Sequence, residues 1–166
     1  MVEMRLAGAV LVGLSAFFLG VSESKRISDC GRLRKSLILL LKEIKRGVAQ
    51  GEPLGSVFAS FDDVMLRRTG FLEVLRTPSD TPLYDALKSC KETELLTSEE
   101  KTALLSYSHR LGKCADRTEE EERASDMIRL LEEKRTSLEA PMKQRAELVL
   151  RLGVLAAAAV IIVFGL

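Results

Sequence analysis

Residues 116–166 read DRTEEEERASDMIRLLEEKRTSLEAPMKQRAELVLRLGVLAAAAVIIVFGL, a stretch that passes from dense charge to none. Its first part places Ala124, Met127, Ile128, Leu131 and Leu138 at helical spacing among charged residues. That is the pattern of a helix buried along one stripe. Glu119, Glu120, Glu121 and Glu122 fall where the positive end of the helix dipole favours acids. Pro141 removes one backbone hydrogen bond and predicts a kink. From Leu152 to Leu166 there is no charge, and Leu148–Leu150 extend the apolar run past Arg151. With Lys143, Arg145 and Arg151 before it, this end reads as a membrane span over residues 148–166.

The other end mirrors it. Leu6 to Val21 (LAGAVLVGLSAFFLGV) is also uncharged. A cleaved signal peptide is the rival reading. The basic residues that follow, Lys25, Arg26, Arg32, Arg34 and Lys35, resist export and favour an anchor over residues 1–21. Both spans carry their positive flank on the side of the middle. Residues 22–147 are therefore expected in the cytoplasm, with both termini across the membrane. Ala9, Gly13, Ala16 and Gly20 share one helix face, and Gly153 and Ala157 do so in the second span. Such spacing lets membrane helices pack closely, although Ala and Gly are also simply common there.

Between the spans the periodicity is helical. Leu33, Leu37, Ile38, Leu40, Leu41 and Ile44 predict a helix ended by Gly47 and Gly51. It continues down from the first span, with a weak point at Cys30–Gly31. Leu54, Val57, Phe58, Phe61, Val64 and Met65 predict a second helix broken by Gly70, with Pro53 in its first turn. Phe71, Leu72 and Leu75 suggest a short third piece. Leu83, Ala86, Leu87 and Cys90 mark a fourth. Thr97 and Glu100 form a capping box opening a helix through Ala103, Leu104, Tyr107 and Leu111. Gly112 is expected in a left-handed conformation at its end, with Leu111 packed beneath the turn. No stretch alternates with period two, so no sheet is expected. The fold class is all-α: a membrane-anchored bundle of about five to six helices with a transmembrane helix at each end, the first and last helices adjacent and antiparallel.

Composition excludes several functions. The chain has 166 residues with 25 basic and 24 acidic side chains, a formal net charge of +1. A nucleic-acid binder would usually be strongly basic. The charge is uneven, since residues 22–47 hold eight basic and three acidic groups and residues 48–151 carry a net −4. The basic part suits anionic lipid headgroups, and an ordinary solvated surface explains it equally well. Chemistry is not signalled. His109 is the one histidine, and Cys30, Cys90 and Cys114 are scattered with no metal-ligand spacing. His109 near Ser106 and Asp116 is no evidence of triad geometry. No phosphate-binding glycine motif occurs, and an acidic first turn explains Glu119–Glu122 more simply than a cation does. No catalytic residue, cofactor or metal is expected.

The stretch from Leu104 to Leu166 (LLSYSHRLGKCADRTEEEERASDMIRLLEEKRTSLEAPMKQRAELVLRLGVLAAAAVIIVFGL) resembles stage III sporulation protein AB. The features that carry the resemblance are Leu111–Gly112, Asp116, the 119–122 run and Leu152–Gly153–Val154. Three residues separate Gly112 from Asp116 where the family usually has two, and Glu120 stands nearest the place of the family's Gln. The N-terminal half matches more loosely, through its short span, Lys25–Arg26 and a Leu-rich helix ending at Glu43–Ile44. The resemblance implies that the soluble part is similar to a type II secretion F-protein cytoplasmic domain. It implies a non-enzymatic scaffold in the machinery joining mother cell and forespore, placed in the mother-cell-derived membrane. Its partners would be a companion assembly ATPase, other membrane proteins of that complex and membrane lipids, with self-assembly into a homo-oligomer also compatible. Leu111, Gly112, Asp116, Glu119, Glu120, Glu121, Glu122 and Gly153 are the structural or partner-binding candidates. Asp116 to Glu122 with Asp126 form the expected docking patch; stabilising the helix dipole is the plainer role. The alternative function is a generic membrane-anchored adaptor unrelated to sporulation.

Overall fold

The computed structural model describes residues 2–113 and 116–164; within these, the side chains of 2–14, 16, 17, 19, 20, 139, 141–143, 145, 146, 150, 156, 157 and 160–164 lie outside the description. The described residues form α1 (Val2–Gln50), α2 (Leu54–Ser60), α3 (Val64–Arg68), α4 (Phe71–Leu75) and α5 (Pro82–Ser89). A 3-10 turn (Lys91–Leu95), α6 (Ser98–Arg110) and α7 (Arg117–Phe164) follow. No strand occurs among the described residues, so the all-α class holds. The elements number more than the expected five to six because short helices replace one longer one.

The chain forms two compact units, residues 29–136 and residues 1–28 with 137–166. The first holds the core. Leu33, Leu37, Leu40, Leu41 and Ile44 of α1 are fully buried. They meet Val57, Leu66, Phe71, Leu75, Leu83, Leu104, Ala124 and Leu131 from the other helices. Each buried Leu or Phe contributes about 1.5–3 kcal/mol. Within this unit α1 and α7 run antiparallel, as expected. Lys42 Nζ donates to Glu132 Oε1 at 2.9 Å, and the Arg117 guanidinium lies beside Gly51.

Three expectations are corrected here. α1 runs unbroken through Cys30–Gly31. The mid-helix glycine costs about 1 kcal/mol against alanine, but Cys30 is buried beside it and its Sγ donates to Leu95 O at 3.1 Å. Gly47 does not end the helix, which continues to Gln50. A Cβ at Gly47 would lie 2.4 Å from Val57 Cγ2, so this glycine lets α2 approach α1. The helix predicted from Leu54 through Met65 is broken after Ser60. Phe61 and Asp63 are extended, and Asp63 Oδ1 accepts from Met65 N at 2.9 Å and Leu66 N at 3.0 Å. A favourable N-cap at Asp63 outweighs helix continuation there. The fourth expected helix is present as α5, capped by Cys90, and in the 3-10 turn after it the buried Thr93 Oγ1 donates to Cys90 O at 2.7 Å or Leu87 O at 3.1 Å.

The second unit consists of the start of α1 and the end of α7. α7 passes through Pro141 as one helical element. Gly153 is buried, whereas Phe18, Val21, Leu148, Val149, Leu152, Val154 and Leu155 are exposed. Among the described residues no helix is long and apolar enough to cross a membrane. Most side chains of the two expected spans lie outside the described residues, among them Ala9, Gly13, Ala16, Gly20 and Ala157.

Candidate functional site

The candidate residues gather around the junction of α6 and α7. α6 opens on the expected capping box: Thr97 Oγ1 accepts from Glu100 N, and Thr97 N donates to Glu100 Oε2 at 2.8 Å. Glu100 is not left to the cap alone. Arg34 of α1 reaches it with two bonds, Nε to Oε1 at 2.7 Å and Nη2 to Oε2 at 3.0 Å. Both side chains are buried, 2% and 0% exposed. Burial by itself would raise the Glu100 carboxyl. The Arg34 guanidinium and the Thr97 hydrogen bonds outweigh it and hold the group below its ordinary range. One residue earlier, Glu99 pairs with Lys134 of α7, which raises the lysine above its ordinary value. The first turn of α6 thus ties to both α1 and α7.

Sequence reasoning saw Glu100 as a cap and missed Arg34. The signal was present. Cys30, Arg34, Leu37, Leu41 and Ile44 share one helical stripe, so Arg34 sits where an apolar residue belongs.

α6 ends at a tight turn. Lys113 N donates to Arg110 O at 3.1 Å; Leu111 has φ −56 and ψ 129, and Gly112 has φ +75. These are the angles of a type II turn, which demands a left-handed residue at its third position. Leu111 is buried beneath the turn, as expected. A Cβ at Gly112 would also sit 2.9 Å from Leu54 Cδ1. Cys114 and Ala115 lie outside the described residues.

Beyond them α7 begins. Asp116 Oδ1 accepts from Thr118 N at 2.9 Å. The acidic run then separates by helix phase. Glu119 and Glu122 are exposed, Glu121 is half-buried, and Glu120 is buried at 5% exposure. Glu120 stands one turn before Ala124 on the stripe that continues to Ile128 and Leu131, which is why it turns inward. Much of the remaining charge is met locally, since Glu119 pairs with Arg123 and Asp126 with Arg129. Among the described residues Glu120 Oε2 has no hydrogen-bond partner, and neither has the buried Tyr107 hydroxyl. Burial first, and then the charge of Glu120, pushes the Tyr107 phenol well above its ordinary value. Gly153 is not part of this site; it belongs to the other unit.

Catalytic features do not converge here. His109 is exposed and packs edge-on against Tyr84, ring centroids 5.8 Å apart. Among the described residues no group of three or more His, Cys, Asp or Glu side chains could hold a metal ion. Cys30 and Cys90 are buried thiols, and burial, with a hydrogen bond to Glu92, raises the Cys90 thiol above its ordinary value.

The family model of stage III sporulation protein AB matches residues 5–165, taking in the α6–α7 junction and both apolar ends. The chain belongs to the stage III sporulation protein AB family. Searches of curated proteins and of solved structures gave no match. Membership gives the chain a role in sporulation. For this family member the all-helical bundle of residues 29–136 is the framework that carries the α6–α7 junction.

Proposed function

We propose that this chain is a non-enzymatic, membrane-anchored platform in the channel complex joining mother cell and forespore. Residues 1–21 and 148–166 are its membrane helices, and residues 22–147 lie on the cytoplasmic side, similar to the cytoplasmic domain of a type II secretion F-protein. The observation that carries the reading is the outward turn of apolar side chains at the two chain ends, with Phe18, Val21, Leu148, Leu152, Val154 and Leu155 exposed. Large apolar side chains presented outward along a helix are stable in lipid and costly in water. Basic residues flank both segments on the side of the bundle, which supports the stated orientation.

The partners are a companion assembly ATPase and other membrane proteins of the same complex. A bundle tied across three helices by Arg34–Glu100 and Lys134–Glu99 is suited to pass position or force from one partner to another. Deleting the gene tests this. Heat-resistant spores should be lost, and the assembly ATPase should leave the membrane fraction of sporulating cells while its own level stays constant. Retention of the ATPase on membranes lacking this chain would contradict the platform role.

A further inference from the structure

α1 and α3 enclose a surface groove of about 310 Å³ on the central unit. Leu39, Val64 and Met65 form its apolar part, and Val64 is 77% exposed. Arg32, Lys35 and Arg68 stand around it, all exposed. None of these three cations has an ion-pair partner among the described residues. One other groove treats its charges differently. In the neighbouring groove between α1 and α7, Lys42 pairs with Glu132, Arg46 with Glu43 and Arg129 with Asp126, leaving Lys45 as the exception. At the start of α7 Glu119 is met by Arg123 and Glu120 is buried, while Asp116 and Glu122 stay exposed. Asp63 also lines this groove, its Oδ1 accepting from Met65 N and Leu66 N at the start of α3, so three exposed cations stand beside exposed apolar surface against one carboxylate.

We infer that this groove is a docking site for an acidic amphipathic helix of another protein. Apolar side chains of that helix seat on Leu39, Val64 and Met65, and carboxylates on either side meet Arg32, Lys35 and Arg68. The apolar contact supplies affinity, while the charges set orientation and encounter rate. A second copy of this chain fits less well. The exposed positions at the start of α7 are Asp116, Arg117, Thr118, Glu119 and Glu122, which offer carboxylates but no apolar residue for the floor. A flat lipid surface also fits less well, because the apolar residues line a concavity. The inference does not depend on the channel reading.

The test uses the full chain in non-ionic detergent and a short synthetic helix with leucines along one face and glutamates on both sides of them. Binding is read by fluorescence anisotropy of the labelled peptide. The acidic peptide should bind and weaken with added salt, and a version with lysine for every glutamate should not bind. Combining Arg32→Glu, Lys35→Glu and Arg68→Glu should weaken binding by about tenfold or more, and Val64→Asp should weaken it as well. Lys42→Glu with Lys45→Glu, in the other groove, should leave it unchanged. Circular dichroism checks that each variant stays folded, and Val64→Asp alone keeps the test valid if the triple variant does not. Equal binding by the wild type and both α1–α3 groove variants would overturn the inference. So would a signal from soluble dioctanoyl phosphatidylglycerol, but not from the peptide, that the triple variant abolishes, since the groove would then be a lipid contact.

Discussion

The two units of this chain treat apolar side chains in opposite ways. Residues 29–136 put Leu33, Leu37, Phe71, Leu104 and Leu131 inside and most charge outside. In the other unit Phe18, Val21, Leu152, Val154 and Leu155 are exposed. α1 and α7 each contribute to both units, so a single helix buries apolar side chains along one part of its length and exposes them along another. The inner unit is therefore stabilised by burial, and substitutions there should register as lost stability. The outer unit should register them as altered partition between water and lipid.

The sharpest way to break this comparison is to strike the buried ion pair of residues 29–136. Arg34→Met leaves Glu100 buried with no cation, and removing one partner of such a pair costs about 3–5 kcal/mol. Chemical unfolding of the full chain in detergent should show it. A loss below about 1 kcal/mol would mean that water reaches Glu100. In the outer unit, Val154→Arg should cost about 2.5–3.5 kcal/mol of membrane insertion if the position lies near the centre of a span. The chain should then shift out of the membrane fraction with the bundle still folded. An unchanged membrane fraction would remove Val154 from the lipid-facing surface.

Smaller effects sharpen the inner unit. Gly112→Val meets both a left-handed backbone and Leu54, and should cost about 1–2 kcal/mol or more by thermal melting. An unchanged melting temperature would contradict the turn geometry. Acid should act through Glu100. Its folded-state pKa lies below its ordinary 4.5, so its contribution is complete above that value and is lost as pH falls through the folded value. Arg34→Met should remove the Glu100-dependent part of this loss. Smallest is Tyr107→Phe, which deletes a buried hydroxyl without a partner. It should leave stability unchanged or raise it by up to about 1 kcal/mol, and a clear loss would reveal a bond to that hydroxyl.

The helices were legible because most of the bundle is amphipathic with ordinary caps. The box at Thr97–Glu100 and the turn glycine at Gly112 follow from spacing, and the antiparallel first and last helices follow from the apolar run at each end. What was not legible depends on neighbours distant in sequence. Gly47 reads as a terminator, yet Val57 needs the space. Asp63 reads as one polar residue inside a helix, yet it caps α3. Four consecutive glutamates read as one patch, yet helix phase sends Glu120 inside and Arg123 takes Glu119. Arg34 was hidden for the opposite reason: it occupies an apolar position, and only the fold reveals the carboxylate 66 residues away that stabilises it there.

The proposed topology puts residues 22–147 in the cytoplasm and residues 1–21 and 148–166 in the membrane. The native thiols are poor reporters of this, since Cys30 and Cys90 are buried. Ser98 is exposed at the start of α6, so Ser98→Cys in a chain with Cys30, Cys90 and Cys114 replaced by alanine gives one accessible thiol. In intact cells a membrane-impermeant maleimide should leave it unlabelled, and permeabilising the membrane should expose it to full labelling. Full labelling in intact cells would contradict the account.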